Sequence, residues 1–244
     1  MLTNPGKSEE YQGLDLIKLP GIYHVGVPTI SGTGAEVSRT AVLTGPVKKL
    51  GLKCDYTYFD QIVLDPDLVR GVPRDQWFYT GMDCYIHCVE SLQGTHFNTF
   101  SEAYGSKALA LCREVYLSDD LSQDARDEKL MVASYMGGLS LTYSEVGVCH
   151  GLSYVFGTRH GIANCIVFNQ LEAYYPEGVR EFWQMLAKHQ ITLPEGLAKD
   201  WTDAQIDQMA QVAIRLEHFW VHHFGPNWRE VWNVDKIAEL YRRM

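Results

Sequence analysis

The stretch GMDCYIHCVESL (residues 81–92) places an acidic residue and a histidine four positions apart, at Asp83 and His87, among apolar neighbours. The stretch is typical of a helix, in which residues i and i+4 lie on one face, one turn apart. A carboxylate and an imidazole so arranged can bind one divalent ion. Because a carboxylate among apolar side chains needs a partner, this setting favours a metal site over a chance polar pair. Cys84 and Cys88 repeat the spacing but face about 100° away, and we interpret them as packing residues.

The sequence before this helix and the sequence after it differ in their predicted secondary structure. Residues 1–75 contain three short β-rich runs, GIYHVGVPT, RTAVLTG and QIVLDPDLV, and the glycine-rich SGTGAE follows the first. After residue 75 the periodicity becomes helical, and capping residues predict helix starts at Thr99, Ser122 and Thr202. We therefore predict a small α/β piece at residues 1–75, followed by an all-helical domain at residues 76–244.

Composition excludes several classes of function. The 244 residues carry a net charge of -9, and an anionic surface repels phosphate backbones, so we predict no nucleic-acid partner. No apolar run reaches the roughly 18 residues of a membrane span, and the first residues lack the basic and apolar regions of a signal peptide. The six cysteines are scattered without a CxxC pair, which favours reduced thiols in the cytoplasm.

Two further stretches contain candidate site residues. His150 and His160 lie in GVCHGLSYVFGTRHGIANCIVF, each next to a glycine at the start of an apolar run, where a ligand can lie close to the backbone. Each histidine alone is more simply a core or capping residue, and it is the combination with Asp83 and His87 that favours a metal site. The stretch PTISGTGAE offers glycines after a strand, which let a backbone approach a phosphate or ribose. An ordinary tight turn explains that stretch equally well.

Together these stretches resemble the iron-containing alcohol dehydrogenase family. PTISGTGAE is similar to the family's nucleotide-contacting loop, PTxxGTGSE. The segments LDPDLVRGVPRDQWFYTGMDCYIHCVES and HGIANCIVF are similar to its DPxLxxxxPxxxxxxTGxDAxxHxxE and HGxANAxxLP segments. Within the family, the chain most resembles the 3-deoxy-D-manno-octulosonate 8-oxidases, which oxidise the terminal hydroxyl of an eight-carbon acidic sugar. The resemblance implies a partial nucleotide-binding α/β domain before the helical metal- and substrate-binding domain.

The resemblance also implies roles for individual residues. Asp83, His87, His150 and His160 fall at the positions that bind the family's catalytic divalent ion, iron(II) or zinc. The positions that contact NAD(P) are Thr29, Ser31, Gly32, Thr33 and Lys49. A divalent ion lowers the pKa of a bound hydroxyl, and hydride then passes to the nicotinamide. For an acidic sugar we expect Arg159 to bind the carboxylate, since a guanidinium does so with two hydrogen bonds. The implied partners are a small-molecule alcohol or sugar acid and, through an exposed sheet edge, a second copy in a homodimer.

Two departures from the family pattern lead to alternatives. The family's GGGS pyrophosphate loop has no match, so we expect an N-terminally truncated chain with half a cofactor site. His150 and His160 are closer in sequence than in the family by about four residues, or one helical turn. One alternative is an inactive remnant that acts as a structural or partner-binding domain. The other is a dehydroquinate synthase-like sugar cyclase, against which Asp83 argues, because the first metal ligand there is typically a glutamate.

Overall fold

The computed structural model describes residues 3–44 and 49–244, without the side chains of Thr44, Lys49 and Leu50. The strands of this part lie before residue 63: β1 (Gly13–Leu14), β2 (Val25–Gly26), β3 (Thr40–Thr44), β4 (Lys49–Lys53) and β5 (Gln61–Ile62). The α-helices begin at Arg74: α1 (Arg74–Ser91), α2 (Thr99–Leu117), α3 (Gln123–Tyr143), α4 (Val148–Ser153), α5 (His160–Phe168), α6 (Pro176–Lys188), α7 (Asp203–Ile214), α8 (Glu217–Phe224) and α9 (Val234–Arg242).

The strands form two small sheets. In the first, β4 lies between β1, to which it is parallel, and β3, to which it is antiparallel. In the second, β2 and β5 pair in parallel. The three predicted β-rich runs each contain one of these strands, whereas β1 and β4 were not predicted. The strands precede the α-helices along the chain, as predicted. The division into two domains at residue 75 stays a prediction.

Helix α1 is the centre of the helical part. Its residues from Phe78 to Ser91 are all buried, and it contacts α2, α3, α4 and α5. A helix enclosed on every side buries its polar side chains together with its apolar ones, so each polar group needs a partner inside the protein. Asp83 and His87 lie in this buried stretch. Cys84 and Cys88 are buried free thiols, as expected of packing residues.

The helix starts test the capping predictions. Thr202 and Gln205 form the predicted reciprocal cap of α7, and the Ser122 side chain caps α3. The capping box predicted at Thr99 is wrong by one residue. The Asn98 side chain accepts hydrogen bonds from backbone N–H groups in the first turn of α2, and the Ser101 side chain accepts one from the Asn98 backbone N–H. An asparagine is at least as good a cap as a threonine, and it precedes the threonine in the chain. Within the described ranges, no helix is long and apolar enough to cross a membrane.

Candidate metal centre

Helix α1 supplies the first half of the site. Asp83 and His87 lie one turn apart on the same face, and 3.7 Å separates the Asp83 Oδ2 atom from the His87 Nε2 atom. Asp83 is completely buried and His87 is 4% exposed. The predicted i, i+4 pair therefore exists, and it faces the protein interior instead of bulk solvent.

The second half comes from two helices joined by an irregular connection. His150 lies within α4, and His160 is the first residue of α5, with residues 154–159 between the two helices. The Nε2 atoms of His150 and His160 lie 3.4 and 3.5 Å from Asp83 Oδ1. One ligand atom from each of the four residues lies within 4.8 Å of the others. His150 and His160 lie on two separate helices. The shorter spacing between them therefore does not shift one histidine by a turn along a continuous helix.

The donor atoms of this cluster fit a divalent ion. Three imidazole nitrogens and one carboxylate oxygen are a ligand set that both zinc and ferrous iron accept. Among the described residues, Asp83 Oδ2 and His87 Nδ1 are buried polar atoms without a hydrogen-bond partner. Leaving such an atom unpaired costs about 1–3 kcal/mol, and more for a charged group. A cation bound at Asp83 Oδ2 would remove that cost.

The charges of the cluster also suit a cation. Burial alone would raise the pKa of Asp83, but His87, His160 and His150 together hold it well below its usual range, so the carboxylate is ionised. Burial lowers the pKa of His87 to about 4, which keeps its imidazole neutral near pH 7. Burial acts in the same direction on His150, but Glu90 and Asp83 outweigh it and raise the pKa of His150 to about 10. Cation binding at His150 therefore competes with a proton.

Access to the cluster runs past His160. Its side chain is 37% exposed, whereas the other three ligand side chains are at most 7% exposed. Arg159 precedes it and is exposed, and its Nη1 donates a hydrogen bond of 2.8 Å to Gln76 Oε1. Gln76 in turn donates through Nε2 to Thr80 Oγ1, at 2.6 Å, on the first half of α1. Arg159 is thus a cation held at the open side of the cluster.

The loop at residues 28–36 packs against the same part of α1. A Cβ atom on Gly32 would lie 1.8 Å from the carbonyl oxygen of Thr80, and one on Gly34, where φ is +59°, would lie 2.6 Å from the Gly138 Cα atom. The backbone N–H groups of Gly32 and Gly34 both donate to Ser134 Oγ on α3, at 2.8 and 3.2 Å. These glycines are therefore required for close packing, and the two N–H groups face the helices.

The predicted cofactor residues differ in exposure. Thr29 and Thr33 are exposed, whereas Gly32 is buried and Ser31 is buried with a hydroxyl that lacks a partner among the described residues. Lys49 begins β4, but its side chain lies outside what the structure describes. The two threonines are the members of this set that the loop presents at the surface.

The comparison with known families agrees with this geometry. The model of the Fe-containing alcohol dehydrogenase family, C-terminal part, matches residues 77–217, more than half of the chain. The chain belongs to the iron-containing alcohol dehydrogenase family. The matched range includes the four residues of the cluster, and the loop at residues 28–36 precedes it.

Individual relatives show how much of a longer chain this one covers. Alcohol dehydrogenase 4 of Schizosaccharomyces pombe is 23% identical over 226 residues, which are 89% of this chain and 53% of the relative. Sulfoacetaldehyde reductase of Bilophila wadsworthia is 29% identical over 173 residues, which are 67% of this chain and 44% of the relative. The fold is similar to that of sulfoacetaldehyde reductase from Bifidobacterium kashiwanohense in complex with NAD+, with a TM-score of 0.77 and 19% identity, over 98% of this chain and 69% of that one. The chain spans about half the length of the first curated relatives it matches.

This member of the iron-containing alcohol dehydrogenase family also has a candidate site residue, Glu90, that was not predicted from the sequence. Glu90, completely buried, accepts a hydrogen bond from His150 Nδ1, and its other oxygen accepts from the Cys149 N–H at 2.6 Å and the Tyr175 hydroxyl at 3.1 Å. Burial would raise the pKa of Glu90, but His150 and the adjacent backbone N–H groups lower it. Glu90 follows His87 by three residues and occupies the last position of the DPxLxxxxPxxxxxxTGxDAxxHxxE pattern, so both the helical repeat and the pattern were available signals.

Proposed function

We propose that the chain is a metal-dependent oxidoreductase that transfers hydride from a primary alcohol to NAD(P). The observation that carries this proposal is the buried Asp83 Oδ2 atom, which lacks a hydrogen-bond partner among the described residues and lies in a cluster with three imidazoles. In this proposal Asp83, His87, His150 and His160 hold iron(II) or zinc. When bound, the ion lowers the pKa of the substrate hydroxyl.

The chain's own residues then orient the reactants. Glu90 accepts from His150 Nδ1, so the Nε2 atom of His150 is the one that faces the ligand cluster. His160, the most exposed ligand, borders the side from which an alcohol enters. The exposed Thr29 and Thr33 of the loop would contact the nicotinamide cofactor, with Ser31, Gly32 and Lys49 as further members of the proposed cofactor site. A relative solved with NAD+ supports this assignment at the level of the fold.

For the substrate, we propose a primary alcohol that carries an anionic group, of the 3-deoxy-octulosonate type. Support comes from Arg159, which is exposed, adjacent to His160 and oriented by Gln76. A guanidinium held in one orientation binds a carboxylate through two hydrogen bonds. Relatives named for sulfoacetaldehyde, an anionic compound, agree with an anionic substrate, whereas a relative named 1-propanol dehydrogenase represents the simple-alcohol alternative.

Metal and nucleotide titrations test the proposed function. Calorimetry with Zn²⁺, and with Fe²⁺ under nitrogen, should show one site in the purified chain and none in Asp83→Ala. Titration with NAD and NADP then separates the oxidoreductase from the non-catalytic alternative, in which metal binds and nucleotide does not. A wild-type chain that binds no divalent ion would refute the proposal. The match to the alcohol dehydrogenase family favours it over the sugar-cyclising alternative.

A substrate comparison tests the role of Arg159. Turnover of a long-chain acidic sugar alcohol and of 1-propanol should be measured in wild type and in Arg159→Ala. We expect the variant to raise KM for the acidic substrate and leave the KM for 1-propanol unchanged. Equal effects on both substrates would show that Arg159 does not bind the anionic group. Light scattering of the same samples tests the predicted homodimer.

A further inference from the structure

The centre of the ligand cluster includes a side chain that none of the proposed roles uses. Asn164 is completely buried on α5, four residues after His160 and therefore on the same face of the helix. Its Nδ2 atom donates a hydrogen bond to Asp83 Oδ1. The same atom lies 3.1 Å from His150 Nε2 and 3.2 Å from His160 Nε2. One amide group thus contacts three of the four proposed ligands, which come from three different helices.

A second side chain fixes the orientation of this amide. The hydroxyl of Ser153 donates a hydrogen bond to Asn164 Oδ1. Ser153 is the last residue of α4, three residues after His150, and is 1% exposed. Because its hydroxyl donates to the amide oxygen, the amide NH₂ group is directed toward Asp83. The Ser153–Asn164 bond also joins α4 to α5 across the irregular connection, next to the two histidines that these helices supply.

The hydrogen bond from Asn164 makes the two oxygens of Asp83 different. Oδ1 accepts from the amide, whereas Oδ2 has no hydrogen-bond partner among the described residues and lies 3.7 Å from His87 Nε2. A carboxylate with one oxygen held by the protein presents the other to an ion in a fixed direction. The amide thereby limits the rotation of Asp83, and it lies nearer to Oδ1 than the His150 and His160 Nε2 atoms, which are 3.4 and 3.5 Å from the same oxygen.

We propose that Asn164 and Ser153 are positioning residues of the metal centre: Asn164 leaves Asp83 Oδ2 for the ion, and Ser153 keeps the amide in the orientation that does so. This inference rests on the proposed function, because it requires that the cluster binds a divalent ion. It assigns the two residues no contact with substrate or cofactor. Their effect is on the affinity and ligand geometry of the ion.

The test measures metal binding in three variants. Asn164→Leu replaces the amide by an apolar group of similar size, Ser153→Ala removes the hydroxyl alone, and Asn169→Ala is the control. Asn169 caps the other end of α5 and accepts a hydrogen bond of 2.8 Å from the Trp183 indole, away from the four ligands. Each variant is titrated with Zn²⁺ by calorimetry. Co²⁺ serves as a second probe, because its visible absorption bands respond to ligand geometry.

We expect Asn164→Leu to bind Zn²⁺ about 10- to 100-fold more weakly than wild type, the usual effect of removing a residue that supports a metal ligand. Ser153→Ala should weaken binding in the same direction, and both variants should shift the Co²⁺ bands, whereas Asn169→Ala changes neither measurement. Circular dichroism of the ion-free proteins checks folding. If Asn164→Leu does not fold, Ser153→Ala decides the question alone.

The outcomes separate the two proposals. Wild-type affinity and unshifted Co²⁺ bands in folded Asn164→Leu, or in Ser153→Ala where only that variant folds, refute the positioning role and leave the proposed function intact. Equal losses in Asn164→Leu and Asn169→Ala refute it as well, because they would indicate a general effect on α5. Failure of the wild-type chain to bind any divalent ion refutes the proposed function and this inference with it.

Discussion

Replacing Glu90 by glutamine tests how much the candidate site depends on a carboxylate outside the ligand set. The substitution keeps the shape of the side chain and removes its charge. One oxygen of Glu90 accepts from Cys149 N–H and the Tyr175 hydroxyl, and the other accepts from His150 Nδ1. If the glutamine oxygen stays on the two donors, its NH₂ group meets His150. The imidazole must then accept at Nδ1 and carry its proton on Nε2, the atom that faces the cluster.

Two magnitudes follow from this rearrangement. A neutral hydrogen bond replaces the one between Glu90 and His150, so the unfolding free energy should fall by at most about 1.5–3 kcal/mol, the worth of a hydrogen bond to a charged group. Metal affinity should fall about 10- to 100-fold, as for other residues that orient a metal-bound histidine. Urea unfolding of the ion-free protein measures the first effect, and Zn²⁺ calorimetry measures the second.

A matched substitution at the surface provides the control. Glu114→Gln removes the ion pair with Lys129, which is 2.7 Å long but exposed, and we expect little change in stability or in Zn²⁺ affinity. If Glu90→Gln retains the wild-type urea midpoint and Zn²⁺ affinity, the account of how His150 is oriented is wrong. A loss of stability with unchanged affinity would restrict Glu90 to a structural role.

Three further predictions concern the loop, a buried histidine and the ion. Gly34→Ala should lower both the melting temperature and NAD(P) affinity, because a Cβ atom there meets the Gly138 backbone at a positive φ, whereas Gly71→Ala, with nothing within 4 Å, changes neither. Burial lowers the pKa of His222, and its two ring nitrogens face a carbonyl and an N–H, which suits only the neutral ring. The unfolded state therefore binds more protons than the folded state, and the unfolding free energy should fall as the pH drops below about 6.5. Urea unfolding curves at pH 7.5 and 5.5 should show a smaller fall in His222→Gln than in wild type. A chelator should lower the melting temperature of the metal-loaded protein, since an ion at 100 times its Kd stabilises by about 2.7 kcal/mol, but should leave Asp83→Asn unchanged.

The sequence identified the four candidate ligands more completely than the groups that surround them. The i, i+4 spacing of Asp83 and His87 follows directly from helical geometry, and the structure brings these two residues together with both later histidines. Glu90 and Asn164 also lie at helical spacings from ligands, three residues after His87 and four after His160. Spacing alone did not identify them, because their partners come from other helices, and a single sequence does not specify how helices pack.

The α/β part was less predictable for a related reason. Of the two strands that were not predicted, β1 has only two residues and gains its pairing from β4, which lies elsewhere in the sequence. Strands that short carry no periodic signal of their own. In contrast, the starts of α3 and α7 depend on side chains within the same turn, at Ser122 and Thr202, and local sequence was sufficient to predict them.

The first half of α1 connects the loop and the ligand cluster. Gly32 of the loop lies against the carbonyl of Thr80, and Gly161, next to His160, lies against the carbonyl of Tyr79. Asp83 follows Thr80 by three residues, which is about 4.5 Å along the helix axis. Hydride transfer requires a cofactor and an alcohol held in one fixed relative orientation, and a rigid helix holds two sites in register better than a flexible loop does. Substituting either glycine would therefore move the loop or the His160 helix away from α1 and change the relative position of the proposed cofactor and metal sites.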